Sequence, residues 1–388
     1  MGSFLLIILI LFSVFSFIIF AIDLYFYLLD RYCRFHIGRW QNDNEWIKAI
    51  EKICVKWTKR TPTVKITDNS KLIAIDMING KYRSKTIQSW QIGGILLGLK
   101  ESNDKDSKEA VDKVIKNLIK EDGNWRVNPT NVDCGLLSYA ILKNCKDYKK
   151  IKPAMDFSIS LIENNICEDG MVAYLTDKSI NERYIDTLGF ICPFLQLYSN
   201  IYGYEKFSKI SLEQINQYNK YGLLYDTYLP NHAYNPQNKL PLGVYGWGRG
   251  VAWYVIGLID TYIEMKDSNE KLLLKENIKK VADSYINYQR EDGGFGSILQ
   301  NERTYDSSAT AVLAYFYSRC YEIFENAKYL DVSNKCLQKI KSATRITGKV
   351  DWCQGDTKGI GVHSQTFDIM PFAQGFTLRA ALINLERK

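Results

Sequence analysis

The sequence predicts an all-α protein, an (α/α)6 barrel of six helical hairpins preceded by one N-terminal transmembrane helix. Three observations lead to this prediction. About twelve segments have helical periodicity and few resemble strands, one type of acidic-glycine turn recurs between them, and a long apolar stretch comes first. A superhelical array of the same hairpins is the alternative architecture.

The first predicted element is the membrane helix. Phe4–Ile22 is apolar apart from Ser13 and Ser16 and carries no charge. As a helix it spans roughly 29 Å, about the hydrocarbon thickness of a bilayer. No basic residue precedes it, and the sequence FAID is a poor match to a signal-peptidase site. We therefore expect a retained anchor rather than a cleaved signal peptide.

The charges after the apolar stretch predict its orientation. Arg31, Arg34 and Arg39 follow it closely, so the positive-inside rule predicts that the large domain lies in the cytoplasm. Nine cysteines without a CxxC pair agree with a reducing compartment. The expected organisation is an anchor over residues 1–30, a connector over 31–43 and a barrel domain over 44–388.

The barrel helices are predicted from apolar periodicity. In chain order, they are EWIKAIEKICVKW, SWQIGGILLGLK, SKEAVDKVIKNLIK, VDCGLLSYAILKN, IKPAMDFSISLIEN, YIDTLGFICPFLQLYSN, YEKFSKISLEQINQYNK, GRGVAWYVIGLIDTY, KLLLKENIKKVADSYINYQ, SSATAVLAYFYSRCYEIF, VSNKCLQKIKSA and PFAQGFTLRAALINLE. The turns EDGNWR (121–126), EDGMVAY (168–174) and EDGGFGS (291–297) each follow one helix and precede another. A stack of hairpins requires such a turn at each repeat.

Composition excludes several classes of function. The net charge of +7 is spread without a basic stripe, so no nucleic-acid partner is predicted. With three histidines and no paired cysteines, neither a metal site nor a cofactor is predicted. The 26 tyrosines and 8 tryptophans fit either a carbohydrate cleft or a large aromatic core.

A glycine-rich turn before one helix is the first candidate binding site. In VYGWGRGVAWYVIGL, Trp247, Arg249 and Trp253 stand at the mouth of an apolar helix. A guanidinium between two indoles suits a flat anionic ligand, because arginine binds a carboxylate through two N–H groups and tryptophan offers a face to a sugar ring. The alternative is a core helix with one satisfied arginine.

Two carboxylates are candidates for acid–base chemistry. Asp186 in YIDTLGF and Asp133 in NVDCGLL each precede an apolar helical stretch. Burial would raise their pKa values, and two carboxylates facing each other across a barrel mouth would push those values apart. The alternative is that each aspartate is only a helix N-cap.

These motifs together resemble a known enzyme family. WGRGVAW is similar to the W-x-R-G-x-x-W signature of unsaturated glycuronyl hydrolases, glycoside hydrolase families 88 and 105. YIDTL with CPFL resembles their catalytic-aspartate block, and VDCGLL the block with their second aspartate. DSSATAVLAY, PFAQGFTLRAAL and, more weakly, SWQIGGILLGL with Trp90 resemble further blocks. The similarity runs in the family's order from about Ser89 to the C-terminus.

The resemblance implies hydrolysis of an oligosaccharide that ends in a 4,5-unsaturated uronic acid. Asp186 would protonate C4, and water activated by the same carboxylate would add at C5, giving a hemiketal that opens. Asp133 would orient the sugar hydroxyls, and Arg249, Trp253, Trp247 and Trp90 would contact the substrate.

One position departs from the family pattern. Many relatives carry a histidine soon after a Leu-Leu-Tyr-like segment, where this chain has Asp226; His232 follows closely and would be its substitute. The segment HSQTF (363–367) matches no motif. Other chemistry on an α/α barrel, such as an ordinary glycosidase or an epimerase, and a non-catalytic glycan-binding barrel remain alternatives. A terpenoid cyclase is a further α/α alternative, since QREDGGFG resembles the Q-x-x-D-G-G motif of those enzymes, but no DxDD motif is present.

Overall fold

The chain folds into two concentric rings of helices with a separate helix at its N-terminus. The computed structural model describes residues 2–84, 87–175 and 182–387. Its α-helices are α1 (Gly2–Arg34), α2 (Asp43–Lys59), α3 (Ile73–Ile78), α4 (Ser89–Lys100), α5 (Lys105–Leu118), α6 (Cys134–Asn144), α7 (Tyr148–Asn164), α8 (Asp186–Tyr202), α9 (Glu205–Tyr221), α10 (Gly248–Glu264), α11 (Asn269–Tyr285), α12 (Ser307–Phe324), α13 (Ala327–Ser342) and α14 (Pro371–Leu385). A 3-10 turn (Ile286–Tyr288) follows α11.

Six helices form a closed inner ring. Helices α4, α6, α8, α10, α12 and α14 each pack against the next, and α14 packs against α4 to close the ring. A Cβ atom at Gly98 of α4 would overlap the carbonyl oxygen of Gly375 in α14, so glycine is required where the first and last inner helices meet. The predicted (α/α)6 barrel is confirmed.

The outer ring explains the amphipathic helices of the sequence. It consists of α2, α5, α7, α9, α11 and α13, each packed on the inner ring. In α5 only Ser107, Ala110, Val111 and Val114 are buried, a single helical stripe. In α10 every residue from Gly248 to Thr261 is buried, because inner helices are covered on all sides.

The acidic-glycine turn is a repeated connection from an outer helix to an inner one. Gly123, Gly170 and Gly293 have φ values of +85°, +77° and +84°, a conformation that favours glycine. Gly348, in the segment RITGKV, has φ +84° and makes the same turn between α13 and α14. This fourth copy was not predicted, because no acidic residues precede its glycine.

In two connections the described residues do not include this turn and form short strands instead. Residues 60–88 contain α3 and a two-stranded ladder, and residues 222–247 contain four strands. All strands are two residues long: β1 (Val64–Lys65), β2 (Arg83–Ser84), β3 (Arg183–Tyr184), β4 (Leu223–Leu224), β5 (Leu229–Pro230), β6 (Ala233–Tyr234), β7 (Pro241–Leu242), β8 (Cys353–Gln354) and β9 (Phe367–Asp368). They pair antiparallel as β1–β2, β3–β6–β7, β4–β5 and β8–β9. These ladders surround one mouth of the barrel.

Helix α1 is long and apolar enough to cross a membrane, by length and composition, and none of its residues is buried. It continues to Arg34, beyond the expected anchor boundary at residue 30. Its last turns contact the barrel. The Arg34 guanidinium donates two hydrogen bonds of 3.0 Å to the Asp351 carboxylate, and the Asp23 carboxylate accepts from the backbone N–H groups of Leu72 and Ile73.

Candidate active site

A cavity of about 260 Å³ opens at the mouth of the barrel where α8 and α10 begin. Six of the eight residues predicted from the sequence line it: Trp90, Asp186, His232, Trp247, Arg249 and Trp253. The ladder formed by β3 and β6 brings two of them together, because the Ile185 N–H donates to the His232 carbonyl oxygen at 3.1 Å. His232 Nε2 then lies 3.9 Å from Asp186 Oδ2.

Asp186 does not act as a helix cap. It is the first residue of α8, the N-cap position belongs to Ile185, and no side chain caps this helix. Asp186 Oδ2 is buried without a hydrogen-bond partner among the described residues. Burial raises the pKa of Asp186 to about 7, and the Arg249 charge opposes this shift. The carboxyl group can therefore hold a proton near neutral pH.

Asp133 occupies the N-cap position of α6, but its side chain does not cap the helix either. Burial raises its pKa to about 6, and hydrogen bonds from the backbone N–H groups of Trp90 and Cys134 oppose the shift. Neither aspartate is among the charges that shift the pKa of the other. The expected repulsion between the two carboxylates is therefore wrong: burial is the principal cause at both positions.

Arg249 is held by backbone carbonyls at the start of α10. Its Nη1 and Nη2 atoms donate to the carbonyl oxygens of Gln354 and Gly355 at 2.7 and 2.8 Å. Nη2 also lies 3.7 Å from the Asp356 carboxylate. The guanidinium lies over the ring of Trp247, 5.1 Å from its centroid, whereas Trp253 packs elsewhere. The predicted arginine between two indoles is thus an arginine over one indole, with two of its five N–H groups engaged.

The two tryptophans belong to separate aromatic clusters. Trp253 packs against Phe190 at 4.5 Å, Phe372 at 4.7 Å and Trp90 at 5.4 Å between ring centroids. Trp247 is 4.5 Å from His232 and 5.1 Å from His363. Both indoles are 1% exposed, so neighbouring residues cover almost all of each ring.

His232 is neutral in this environment. Burial lowers its pKa to about 4, and the charges of His363 and Arg249 act in the same direction. Its Nδ1 accepts a hydrogen bond from the Gly361 N–H at 3.3 Å, so the neutral ring carries its proton on Nε2, the nitrogen nearest Asp186. The 3.9 Å approach is therefore a contact with a neutral N–H donor and not an ion pair.

Asp226 lies away from the cavity. It is exposed in the turn between β4 and β5, with φ +64°. Aspartate tolerates this left-handed conformation better than most residues. Of the two residues considered for the position of the family's histidine, the cavity contains His232.

Several cavity residues were not predicted. Tyr174, Tyr184 and Asp356 line the cavity, and their motifs gave no signal in a single sequence. His363, from the unassigned segment HSQTF, stacks on His232 and packs against Trp247 with its ring tilted. Asp306, within the DSSA motif, is buried and accepts the Gln354 N–H at 3.1 Å.

Asp306 thus helps to fix the segment whose carbonyl oxygens hold Arg249, those of Gln354 and Gly355. Among the described residues, no group of three or more His, Cys, Asp or Glu side chains has the geometry to hold a metal ion.

Comparison with solved structures shows the same fold in glycoside hydrolases. A possible member of family 105 from Klebsiella pneumoniae aligns with a TM-score of 0.73 and 14% identity over 89% of this chain and 93% of that one. The unsaturated glucuronyl hydrolase of Bacillus sp. GL1, responsible for glycosaminoglycan degradation, aligns with a TM-score of 0.65 and 16% identity. That alignment covers 90% of this chain and 97% of that one. A family 88 hydrolase from Bacteroides vulgatus aligns with a TM-score of 0.63 and 13% identity, over 89% of this chain and 99% of that one.

No curated protein sequence matches the chain. A family model does: Glycosyl Hydrolase Family 88 matches residues 49–387, which include all of both helical rings from the middle of α2 onward. The matched range contains Asp133, Asp186 and the WGRGVAW segment. The chain belongs to Glycosyl Hydrolase Family 88.

Proposed function

We propose that this protein is a membrane-anchored hydrolase that removes a terminal 4,5-unsaturated uronic acid from an oligosaccharide by hydrating its C4=C5 double bond. The observation that carries the proposal is Asp186, a carboxyl group in the cavity whose buried Oδ2 has no hydrogen-bond partner and whose pKa is raised to about 7. Such a group can both give and take a proton near neutral pH. The related hydrolase of Bacillus sp. GL1 acts on unsaturated glucuronyl substrates.

The reaction begins with proton transfer. Protonated Asp186 delivers its proton to C4, the double bond's electron pair forms the new C–H bond, and positive charge develops at C5 and the ring oxygen. The resulting carboxylate takes a proton from water as the water oxygen bonds to C5. The hemiketal then opens, and the hemiacetal left at C1 releases the rest of the oligosaccharide. No bond at C1 is displaced directly, so the carboxylate-spacing rule for ordinary glycosidases does not apply.

The surrounding residues have supporting roles in this proposal. His232 keeps a neutral N–H near Asp186 and so adds no positive charge that would hold the carboxylate ionised. Arg249 attracts the uronate carboxylate with the N–H groups that its two backbone bonds leave available. Asp133, held by backbone amides, accepts hydrogen bonds from sugar hydroxyls.

The anchor is supported by the way α1 ends. An apolar helix with no buried residue fits a signal sequence as well as a membrane anchor. The contacts of Asp23 with the backbone of Leu72 and Ile73 favour retention, because cleavage a few residues beyond Ile22 would remove Asp23 and discard them. Retention is tested by the N-terminal mass of the purified protein. Orientation is tested by a C-terminal reporter active only outside the cytoplasm, which we expect to be silent.

The reaction is tested with unsaturated disaccharides produced by polysaccharide lyases. We expect the absorbance of the C4=C5 bond to disappear as the second sugar is released, and the saturated disaccharides to remain intact. Release of sugar from the saturated compounds would instead indicate an ordinary glycosidase.

A further inference from the structure

A second cavity, of about 390 Å³, lies where α1 meets the barrel. Its wall includes five cationic side chains, Arg34, Lys65, Arg83, Arg345 and Lys349. It also includes three carboxylates, those of Asp23, Asp30 and Asp368. The cavity is therefore a charged one, at the end of an apolar helix.

The carboxylates in this wall already have partners. Asp23 accepts from the backbone N–H groups of Leu72 and Ile73 at 2.7 and 3.0 Å. Asp30 pairs with Arg34 at 2.8 Å, and Asp368 with Arg345 at 3.0 Å. Since these carboxylates already bond groups of the protein, we do not expect them to bind an additional cation.

Three of the cations have no such partner. Within residues 2–84, 87–175 and 182–387, none of the ion pairs includes Lys65, Arg83 or Lys349. Burial lowers the pKa of Lys349, the neighbouring charges of Arg345 and Lys56 lower it further, and the Asp368 carboxylate only partly opposes them. A half-buried ammonium group beside other cations is stabilised by an anion.

The surroundings of the cavity match a membrane surface. The apolar part of α1 ends at Ile22, and the cavity wall begins one residue later at Asp23. Beside it, in and just before α3, Leu72, Ile75 and Ile78 are 54%, 46% and 81% exposed. Apolar side chains at this level would enter the boundary between headgroups and acyl chains. The cavity would then lie at headgroup depth.

We propose that this cavity binds the phosphate of an anionic membrane lipid headgroup through Lys65, Arg83 and Lys349. The proposal rests on the membrane anchoring proposed above and is independent of the reaction. Free phosphate presents the same chemistry, so the experiment compares the two sources. Binding at this position would fix the height and tilt of the barrel above the bilayer.

The test uses the full chain in nanodiscs of phosphatidylcholine, with or without phosphatidylglycerol, and measures the melting temperature. Phosphatidylglycerol should raise Tm by about 4 °C when its local concentration exceeds Kd by about 100-fold. Lys65→Gln/Lys349→Gln should abolish the shift. Lys209→Gln/Lys280→Gln, which removes the same charge from exposed positions without ion pairs, should keep it. Lys349→Arg should keep it too.

The second arm adds inorganic phosphate to phosphatidylcholine nanodiscs. If phosphate raises the melting temperature and Lys65→Gln/Lys349→Gln abolishes the rise, the result supports a phosphate site and indicates that free phosphate is its ligand. The proposal is overturned if the unsubstituted protein has the same melting temperature in both bilayers and with added phosphate. It is also overturned if Lys65→Gln/Lys349→Gln still shows the rise in melting temperature. Protein that nanodiscs do not retain contradicts the anchor and this site together. None of these readouts requires turnover, so a failure of the proposed reaction is seen separately.

Discussion

Helices α6 and α8 begin in the same way, with an aspartate at the barrel mouth followed by an apolar inner helix, but the two carboxylates are held differently. Asp133 receives hydrogen bonds from the backbone N–H groups of Trp90 and Cys134. Asp186 has one buried oxygen without a partner, with His232 Nε2 3.9 Å away. Their pKa values are raised to about 6 and about 7.

Under the proposed reaction, this difference separates a positioning carboxylate from a proton-transferring one. Backbone amides fix the orientation of Asp133 and favour its ionised form, which suits an acceptor of sugar hydroxyls. Asp186 receives one backbone hydrogen bond, from its own N–H group, where Asp133 receives two, so it holds its proton more tightly and remains partly protonated at neutral pH. Burial makes both groups weaker acids, and the local hydrogen bonds limit how far each pKa is raised.

The largest expected effect is that of Asp186→Asn. The amide keeps the shape of the carboxyl group but has no transferable proton, so kcat should fall by about 10²–10⁴-fold. Steady-state kinetics on an unsaturated disaccharide measures this. Asp147→Asn is the matched control. The Asp147 side chain caps α7 by accepting a hydrogen bond from the Lys150 N–H, and asparagine caps a helix equally well. Near-normal turnover by Asp186→Asn would remove this residue from the mechanism.

The same substitution should change how stability depends on pH. The folded-state pKa of Asp186, about 7, lies above the unfolded value of about 3.9, so the unfolded chain ionises first as pH rises. The stability that this group contributes is present below the unfolded pKa and is lost between about pH 4 and pH 7. Asp186→Asn should therefore melt above the unsubstituted protein at pH 7, with a smaller difference at pH 4. An equal difference at both values would contradict the raised pKa.

Arg249→Lys should act mainly on substrate binding. An ammonium group cannot bond both Gln354 and Gly355 carbonyls and a uronate in the same geometry. The loss of a charged hydrogen bond predicts a rise in KM of about 10- to 100-fold. An unchanged KM with a lower kcat would instead assign Arg249 to the transition state.

Asp133→Asn should have a smaller effect than either. An asparagine oxygen can accept from one of the two backbone amides, but its NH2 group cannot, so about one hydrogen bond is lost. We expect about a 10-fold fall in kcat/KM, since one such bond is worth about 1–1.5 kcal/mol. A loss as large as that of Asp186→Asn would mean that the two carboxylates share the proton transfer.

Asp226→Gly should have the smallest effect. Asp226 is exposed in a turn with φ +64°, and glycine adopts that conformation without strain. Both kcat and KM should stay within about twofold of the unsubstituted values. A large rise in KM would return Asp226 to the substrate-binding residues.

The fold was predictable because helical periodicity and a repeated turn are local signals. The glycine turns follow from backbone conformation alone, and the helix that contains Arg249 and Trp253 begins where its glycines indicated. The fourth turn, at Gly348, was missed because only its glycine is shared with the others.

The site was predictable only in part, because its contacts join distant segments. The carbonyl oxygens that hold Arg249 come from residues more than a hundred positions further along the chain. His363 and Asp356 reach the site on the same segment, which has no periodic pattern. Burial, which sets both pKa values, depends on the closed ring and not on neighbouring residues.

The central claim is that Asp186 delivers a proton to C4 of the substrate, and its most direct test is the reaction in D2O. A single carboxyl group protonates one face of the double bond, so the product should carry deuterium in one of the two stereochemically distinct positions at C4, as NMR resolves them. Asp186→Asn should form this product at least about 10²-fold more slowly. Deuterium divided between both positions in the first product formed, before the C4 hydrogens next to the C5 ketone exchange with D2O, would contradict the account.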